Sequence, residues 1–432
     1  MGLGISGDVD GSSVRPAIGL PVSSSSVGSI RKRQGGFAAL VLAVLATSNL
    51  FIPNFTGSIF TEPTALSLGV ATIIAGHAWI SDKGYIGGPH LLIFLVALTF
   101  LPGLLAAAPH HYGQSKTIGL ALTLLIVLVT TQIVGRWSLN PAFLTALAVF
   151  GFVVAVELLT IGETSTFDGR ASVLGLNPID LGRMASLGAL LCALMAYWGR
   201  GWWRGLLLVM AAVSAFAATT TGSRGPLISA GVAIVFALLV SRRIASPATR
   251  VVGVSGLIAG VYLLFRGEGL DSSNRIFSQD SSGRDSLWSE SLDIALTTPG
   301  GVGFGGLYGH VTLTPGAAVT GYTQYSHNIL LETAVEGGWI ALAGILVVLA
   351  ISFRYLLQES NTQTGALLLT VWTFAFINAL SSSDLVGNRL LWVMVAVGLG
   401  LELRRTRGDR TPTGHLTTTL RPTRQRWSDQ SP

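Results

Sequence analysis

Long apolar stretches separated by short polar turns make up most of the chain. A helix that crosses a bilayer needs roughly 20 mostly apolar residues, and about twelve stretches come near that length. They centre on 37–53, 64–80, 90–108, 117–134, 141–161, 179–198, 205–219, 226–241, 250–265, 328–351, 364–380 and 389–403. The pattern predicts an all-α polytopic membrane protein whose transmembrane region covers 37–403.

The composition agrees with this prediction. Of the 432 residues, 50% are hydrophobic and only 11% are charged, and the mean hydropathy is +0.60. A soluble protein of this length does not need so apolar a chain, so the chain is read as an integral membrane protein. The single cysteine, Cys192, lies within an apolar stretch and cannot form an intrachain disulfide.

Polar tails flank the apolar region. Residues 1–36 are rich in glycine and serine and contain no apolar core, which predicts a disordered tail rather than a signal peptide. Residues 404–432 are basic and rich in threonine, which suits a tail that lies against anionic membrane lipids. No folded soluble module surrounds these arginines, so nucleic acid is not an expected partner.

The basic residues of the short connections predict the orientation. Arginine and lysine accumulate on the cytoplasmic side of a membrane protein, which places both termini in the cytoplasm. The connections 109–116, 162–178, 220–225, 266–327 and 381–388 then face the extracytoplasmic side. Only 266–327 is long, and a connection of this length is expected to be functional.

The long loop contains two recognisable segments. Residues 283–296 predict a short amphipathic helix in which Arg284 and Trp288 share a face that could rest on the membrane surface. The glycine run 301–306 follows and contains the pattern G-x-G-x-x-G. No predicted strand precedes this run and no helix opens from it, so a flexible turn is expected rather than a dinucleotide site.

One histidine and several arginines on this side carry the candidate chemistry. His327 ends the long loop and can be neutral near pH 7, so it is either a general base or a satisfied interfacial histidine. Arg224, Arg275 and Arg284 are permanent cations whose planar donor forks suit diphosphate oxygens. The alternative is that these arginines merely flank the helices.

The acidic residues fit less well into such a site. Glu332 and Glu336 follow His327 by five and nine residues, so an ideal helix turns them about 140° and 180° away from the histidine. Glu157 lies within an apolar stretch and is a functional candidate, paired with Arg183 or Arg170. The loop acids are scattered among arginines, which favours a reaction that needs neither a metal nor another cofactor.

Taken together in chain order, these motifs resemble the O-antigen ligase and polymerase superfamily of bacterial membrane glycosyltransferases. The resemblance covers roughly 160–400 and rests on Ser223-Arg224-Gly225, Arg284 with Trp288, and His327-Asn328-Ile329-Leu330-Leu331-Glu332. It implies a GT-C-like fold and an inverting transfer of a glycan from a polyprenyl-diphosphate donor to a hydroxyl of a glycan, lipid or protein acceptor.

The resemblance also implies roles for individual residues. Arg224 and Arg284 would bind the diphosphate, and His327 would activate the acceptor. Arg275, Tyr325 and Arg389 would support them.

Two other classes of function remain as alternatives. A transporter or a flippase for lipid-linked glycans predicts paired charges near the bilayer midplane, for which Glu157 is the main indication. A scaffold protein would not need an arginine-rich loop that ends in a histidine. The sequence does not separate a ligase from a polymerase.

Overall fold

The computed structural model describes residues 24–48, 63–137, 139, 141–164, 171–173, 176–240, 284–312, 325–382 and 384–408. The first half contains α1 (Ser24–Thr47), α2 (Pro63–Ser81), α3 (Gly88–Thr99), α4 (Leu101–Leu105), α5 (His111–Arg136), α6 (Pro141–Thr160), α7 (Pro178–Trp198) and α8 (Trp202–Thr220). A two-residue antiparallel pair, β1 (Glu163–Thr164) and β2 (Ala171–Ser172), lies between α6 and α7.

The second half begins with α9 (Arg224–Val240) and α10 (Arg284–Thr297). A 3₁₀ turn at Gly306–Gly309 leads towards α11 (Ile329–Glu332), a π turn (Thr333–Gly337) and α12 (Gly338–Glu359). The helices α13 (Gln363–Ser381) and α14 (Arg389–Gly408) complete the described chain. The protein is therefore an α-helical bundle.

Seven helical segments of the described chain are long and apolar enough to cross a membrane. They are Thr64–Ser81, His111–Arg136, Pro141–Thr160, Pro178–Trp198, Trp202–Thr220, Ile329–Glu359 and Gln363–Ser381. Three further apolar helices are shorter, at Gln34–Thr47, Gly88–Thr99 and Arg224–Val240. A polytopic membrane protein is thus confirmed, whereas twelve spans stay a prediction, and the predicted span 250–265 lies outside the described residues.

The predicted span 90–108 is not one continuous helix. It is divided between α3 and α4 at Phe100. Pro102 lies in the first turn of α4, two residues after Phe100. A proline removes a backbone N–H and restricts the residue before it, which favours a helix boundary here. Both ends of the predicted transmembrane region 37–403 lie within longer helices. The helix α1 begins at Ser24, and α14 continues to Gly408.

Close helix packing builds the core of the bundle. The helix α7 packs against α6 and α8, α5 packs along α14, and α9 packs along α13. Glycines permit the closest approach of α6 and α7, because a Cβ atom on Gly188 would lie 2.7 Å from the backbone carbonyl carbon of Gly151. Small residues at such crossings let helix backbones approach within a membrane.

The glycine run after α10 is a tightly packed element. Gly301, Gly303 and Gly305 all have positive φ angles, and a Cβ atom on Gly303 would lie 1.9 Å from the Ala106 carbonyl oxygen. The Gly303 amide also donates to the Glu336 carbonyl at 3.1 Å. The prediction of a flexible turn was therefore wrong: the run packs between α4, α5 and the π turn, where only glycine leaves room.

Candidate functional site

The ends of several helices meet around Ser381, the last residue of α13. Arg284 Nη1 donates to the Ser381 carbonyl oxygen at 2.7 Å. A Cβ atom on Gly225 would lie 3.1 Å from Ser381 Oγ, so the start of α9, with Arg224 adjacent, reaches the same place. Residues from the short connection 220–225 and from the long loop are therefore neighbours, although 60 residues separate Arg224 from Arg284 in the sequence.

Side-chain hydrogen bonds attach the helix α10 to the bundle. Besides the contact of Arg284, Trp288 Nε1 donates to the Ser326 carbonyl at 2.7 Å. Trp339 Nε1, from α12, donates to the Ala295 carbonyl at 2.8 Å. The predicted helix exists, but the expectation that its Arg284 and Trp288 face rests on the membrane was wrong, because both side chains bind backbone carbonyls of the bundle.

His327 occupies the turn that Trp288 fixes. Its φ angle is 55°, in the left-handed region that non-glycine residues seldom adopt. Directly after it, the Asn328 side chain caps α11 by accepting from the Leu330 and Leu331 amides. The imidazole ring lies 4.3 Å from the Tyr325 ring, and Nδ1 is buried without a hydrogen-bond partner among the described residues. The imidazole is thus held by its backbone and by packing.

The surroundings keep the His327 imidazole neutral. Burial, followed by the positive charges of Arg284 and Arg183, lowers its pKa from 6.5 to about 4. Burial, followed by the negative charge of Asp384, raises the pKa of Tyr325 to about 12. At neutral pH the site therefore presents a neutral imidazole, able to accept a proton, beside an un-ionised phenol.

A small cavity is lined by Arg183, one of the two arginines whose charges act on His327. It has a volume of about 50 Å³ and lies mainly between α7, α13 and α14, with Ala46 of α1 at its edge. Asp180, Arg183, Asn378 and Arg389 are among the polar side chains of a wall that is otherwise largely apolar. Arg183 Nη1 contacts Asp180 Oδ1 at 2.9 Å. In the described part of the chain Arg183 therefore pairs with Asp180 and not with Glu157, which corrects the predicted pairing. Arg170, the other predicted partner, lies outside the described residues.

Arg389 is held by the first two helices. Its Nη1 atom donates to Ser48 Oγ at 2.8 Å and also to Thr64 Oγ1. The N-terminal half of the chain, for which the sequence offered no motif, thus positions one arginine of the candidate site. Arg275 lies outside the described residues, so its predicted role is an expectation only.

A fully buried ion cluster joins α5 to α11 and the π turn that follow His327 in the chain. Lys116 Nζ contacts Glu332 Oε1 and Glu336 Oε2, both at 2.6 Å, and all three side chains have zero exposure. Glu332 Oε2 also accepts from the Leu385 amide at 2.9 Å. The π turn brings the two carboxylates to the same lysine. Neither glutamate is a partner of His327, in agreement with their predicted directions.

Sequence reasoning missed Lys116 as the centre of a buried ion cluster. It was expected at the end of the polar connection 109–116, but it lies within α5 and is 1% exposed. A signal was present, since the chain has only three lysines and this one opens an apolar stretch. A second signal was the pair Glu332 and Glu336, which lie four residues apart in another apolar stretch and therefore share one helix face. Two buried acids on one face need a positively charged partner.

A metal site requires several ligand side chains arranged around one ion. Within the described ranges, no group of three histidine, cysteine, aspartate or glutamate side chains is arranged to hold a metal ion. The ionic groups that surround His327 are mainly arginines, which bind anions rather than metal ions.

The fold and site define a class: a polytopic helical membrane protein that gathers arginines and one histidine at one end of its bundle. Residues 209–346 match the family model described as O-antigen ligase. The match covers about a third of the chain and includes Arg224, Arg284 and His327. The resemblance to the O-antigen ligase superfamily is thereby confirmed, and it supports glycan transfer in general. No curated protein matches the chain.

Proposed function

We propose that this protein transfers a glycan from a polyprenyl-diphosphate donor to an acceptor hydroxyl, as an inverting and metal-independent ligase or polymerase. The observation that carries this proposal is the convergence of Arg224, Arg284 and His327 near one helix end. Fixed cations beside a neutral imidazole are the groups that an anionic leaving group and a hydroxyl nucleophile require. The family match includes all three residues.

In the proposed reaction, the His327 imidazole removes the proton of the acceptor hydroxyl. The resulting oxygen attacks the anomeric carbon of the donor sugar from the face opposite the diphosphate. The bond between this carbon and the phosphate oxygen then breaks, and its electron pair leaves with the polyprenyl diphosphate. Arg224 and Arg284 stabilise the negative charge that develops on this leaving group, without any reorganisation at the moment of reaction.

Donor binding also adjusts the base. A histidine whose pKa is about 4 is a weak base in the free protein. A bound diphosphate offsets the positive charge of Arg284 and Arg183, which are two of the three causes of the low value. Burial, the largest cause, persists in the complex, so we expect the pKa of His327 to rise from about 4 but to stay below its ordinary value when the donor is bound. The base is then stronger in the complex than in the free protein.

A transfer assay tests this function. Purified protein is mixed with a polyprenyl-diphosphate glycan and an acceptor, with and without EDTA, and the product is separated by electrophoresis. We expect transfer in both samples. Loss of transfer in EDTA would refute the metal-independent mechanism, and absence of transfer with every acceptor class would refute the function.

Matched variants test the assigned residues. Arg224→Ala is compared with Arg200→Ala, which removes an exposed arginine between α7 and α8. His327→Gln is compared with His77→Gln, on an exposed position of α2. We expect the site variants to lose transfer by at least about 100-fold, the usual scale for a lost acid or base group, while both controls keep it. Near-normal activity of both site variants would mean that the site is elsewhere.

The proposed orientation has its own test. The site faces the extracytoplasmic side and both termini face the cytoplasm of the inner membrane. Ser289→Cys, at an exposed position of α10, is introduced with Cys192→Ala, which removes the buried native thiol. A membrane-impermeant thiol reagent should label Ser289→Cys from outside spheroplasts. Protection there, with labelling only after lysis, would reverse the orientation.

One observation favours the alternative of a transporter or flippase. The Lys116, Glu332 and Glu336 cluster is an ion network among apolar helices, and such networks are common in transporters. Proteoliposomes that contain a labelled lipid-linked glycan separate the two functions. Movement of the label across the bilayer without formation of a product would favour transport.

A further inference from the structure

We propose that the cavity between α7, α13 and α14 is a second phosphate subsite, in which Arg183 binds one phosphate of the donor while Arg224 and Arg284 bind the other. This inference rests on the proposed function for the identity of the donor. The subsite itself rests on the arrangement of Arg183, Asn378 and Arg389 around one cavity.

One edge of the Arg183 guanidinium has no hydrogen-bond partner in the described structure. The Arg183 side chain is 15% exposed, and Nη1 is engaged by Asp180. Its Nε and Nη2 atoms are buried and have no hydrogen-bond partner within the described structure. These two nitrogens form the side-on fork of a guanidinium, which binds two oxygens of one phosphate or carboxylate. Buried donors without partners are costly in a protein, so a fork of this kind indicates a ligand.

The cavity has the size for an oxygen-rich group, and it presents polar side chains within a largely apolar wall. Its volume of about 50 Å³ exceeds the roughly 10–15 Å³ that a cavity needs to hold a single water molecule. Arg389, held by Ser48 and Thr64, supplies a second guanidinium in the wall. The Oδ1 atom of Asn378 is also buried without a partner among the described residues, and it can accept from a hydrating water or a protonated phosphate oxygen.

The position along α13 assigns the two phosphates. Ser381, beside Arg284, is the last residue of α13, and Asn378 lies three residues earlier. Three residues of helix correspond to about 4.5 Å, so the cavity lies deeper in the bundle than the Arg284 contact. The phosphate attached to the polyprenyl chain is the one nearer the membrane interior. The Arg183 subsite therefore takes this phosphate, and Arg224 and Arg284 take the phosphate attached to the sugar.

The carboxylate of Asp180, which contacts Arg183, allows a test that separates a ligand site from a purely structural ion pair. If Arg183 binds an anion, Asp180 competes with that anion for the guanidinium, so Asp180→Asn should strengthen anion binding. If the pair only stabilises the start of α7, removal of either partner should have the same harmful effect. Opposite effects of the two substitutions are thus the expected sign of a ligand site.

Binding of inorganic pyrophosphate to the purified full-length protein in detergent measures this directly. The variants are Arg183→Ala, Arg183→Lys, Asp180→Asn and the surface control Arg200→Ala. We expect both Arg183 variants to weaken binding at least tenfold, Asp180→Asn to tighten it at least twofold, and Arg200→Ala to leave it unchanged. Arg183→Lys keeps the charge and lacks the fork, so it serves if Arg183→Ala does not fold.

Several outcomes would overturn the inference. Wild-type affinity in Arg183→Lys would do so, as would equal weakening in Asp180→Asn and Arg183→Lys. Displacement of pyrophosphate by micellar phosphatidylglycerol would assign the cavity to phospholipid headgroups instead. The glycan transfer assay is independent: normal transfer and KM in Arg183→Lys would reject the subsite alone. Arg183-dependent pyrophosphate binding without any transfer would reject only the proposed function.

Discussion

The substitution Lys116→Met tests how far the buried ion cluster stabilises the fold. Methionine keeps most of the length and volume of lysine but removes the charge. The change leaves Glu332 and Glu336 facing each other in a site of zero exposure, without the cation that both contact at 2.6 Å. Two unpaired carboxylates cannot remain ionised there without a large desolvation cost.

The expected loss follows from this burial. Removal of one partner from a buried ion pair typically costs about 3–5 kcal/mol, because the remaining charge is uncompensated. A loss of this size lowers the folding equilibrium constant by roughly two to four orders of magnitude, at 1.36 kcal/mol for each factor of ten. The Leu385 amide, which donates to Glu332 in the wild type, should keep this hydrogen bond in the variant, so the connection 381–388 should stay in place.

Thermal unfolding in detergent, followed by tryptophan fluorescence, measures the effect. The matched control is Lys83→Met, because Lys83 is exposed in the turn after α2. We expect a large fall in the unfolding temperature for Lys116→Met and almost none for the control. The triple variant Lys116→Met, Glu332→Gln, Glu336→Gln should recover much of the lost stability, since it leaves no charge in the cluster. Equal stability of the two single variants would refute the electrostatic argument.

The remaining predictions concern the site and its support. The folded pKa of His327, about 4, lies below its ordinary value of 6.5, so the unfolded chain binds more protons between these values. Stability should fall as pH is lowered from 6.5 to 4, and His327→Gln should reduce this slope in thermal unfolding. Trp288→Phe removes the hydrogen bond of 2.7 Å from Trp288 Nε1 to the Ser326 carbonyl. This loss should reduce the free energy of unfolding by about 0.5–1.5 kcal/mol and lower transfer by misplacing His327. Gly303→Ala should prevent correct folding, seen as loss of a monodisperse peak in size-exclusion chromatography, whereas Gly309→Ala, with open space around its Cβ position, should fold normally.

Each of these predictions can fail in a distinct way. An unchanged pH slope in His327→Gln would show that other groups govern the acid sensitivity. Full transfer activity in Trp288→Phe would separate this hydrogen bond from the reaction. A correctly folded Gly303→Ala would show that the backbone opposite can move away from the new Cβ atom.

The sequence by itself determined the class of protein and the main elements of its site. Long apolar stretches predicted the long helices, because burial of a whole helix surface in lipid or in a bundle requires apolar residues in every turn. Local signals also predicted α10. The helix that begins after Asn328 starts there because the Asn328 side chain caps its first amides. The order of short motifs led to the resemblance that the family match at 209–346 later confirmed.

Only the tertiary structure decided which charges meet. Lys116 and Glu336 are 220 residues apart, and their contact depends on the packing of helices and on a π turn that no local pattern predicts. The same holds for Arg183, whose partner is Asp180 and whose free edge faces a cavity formed by three helices. Local propensity acts over one helical turn, whereas pairing of buried charges is set by long-range packing, so the sequence named the arginines and the histidine but left their partners to the fold.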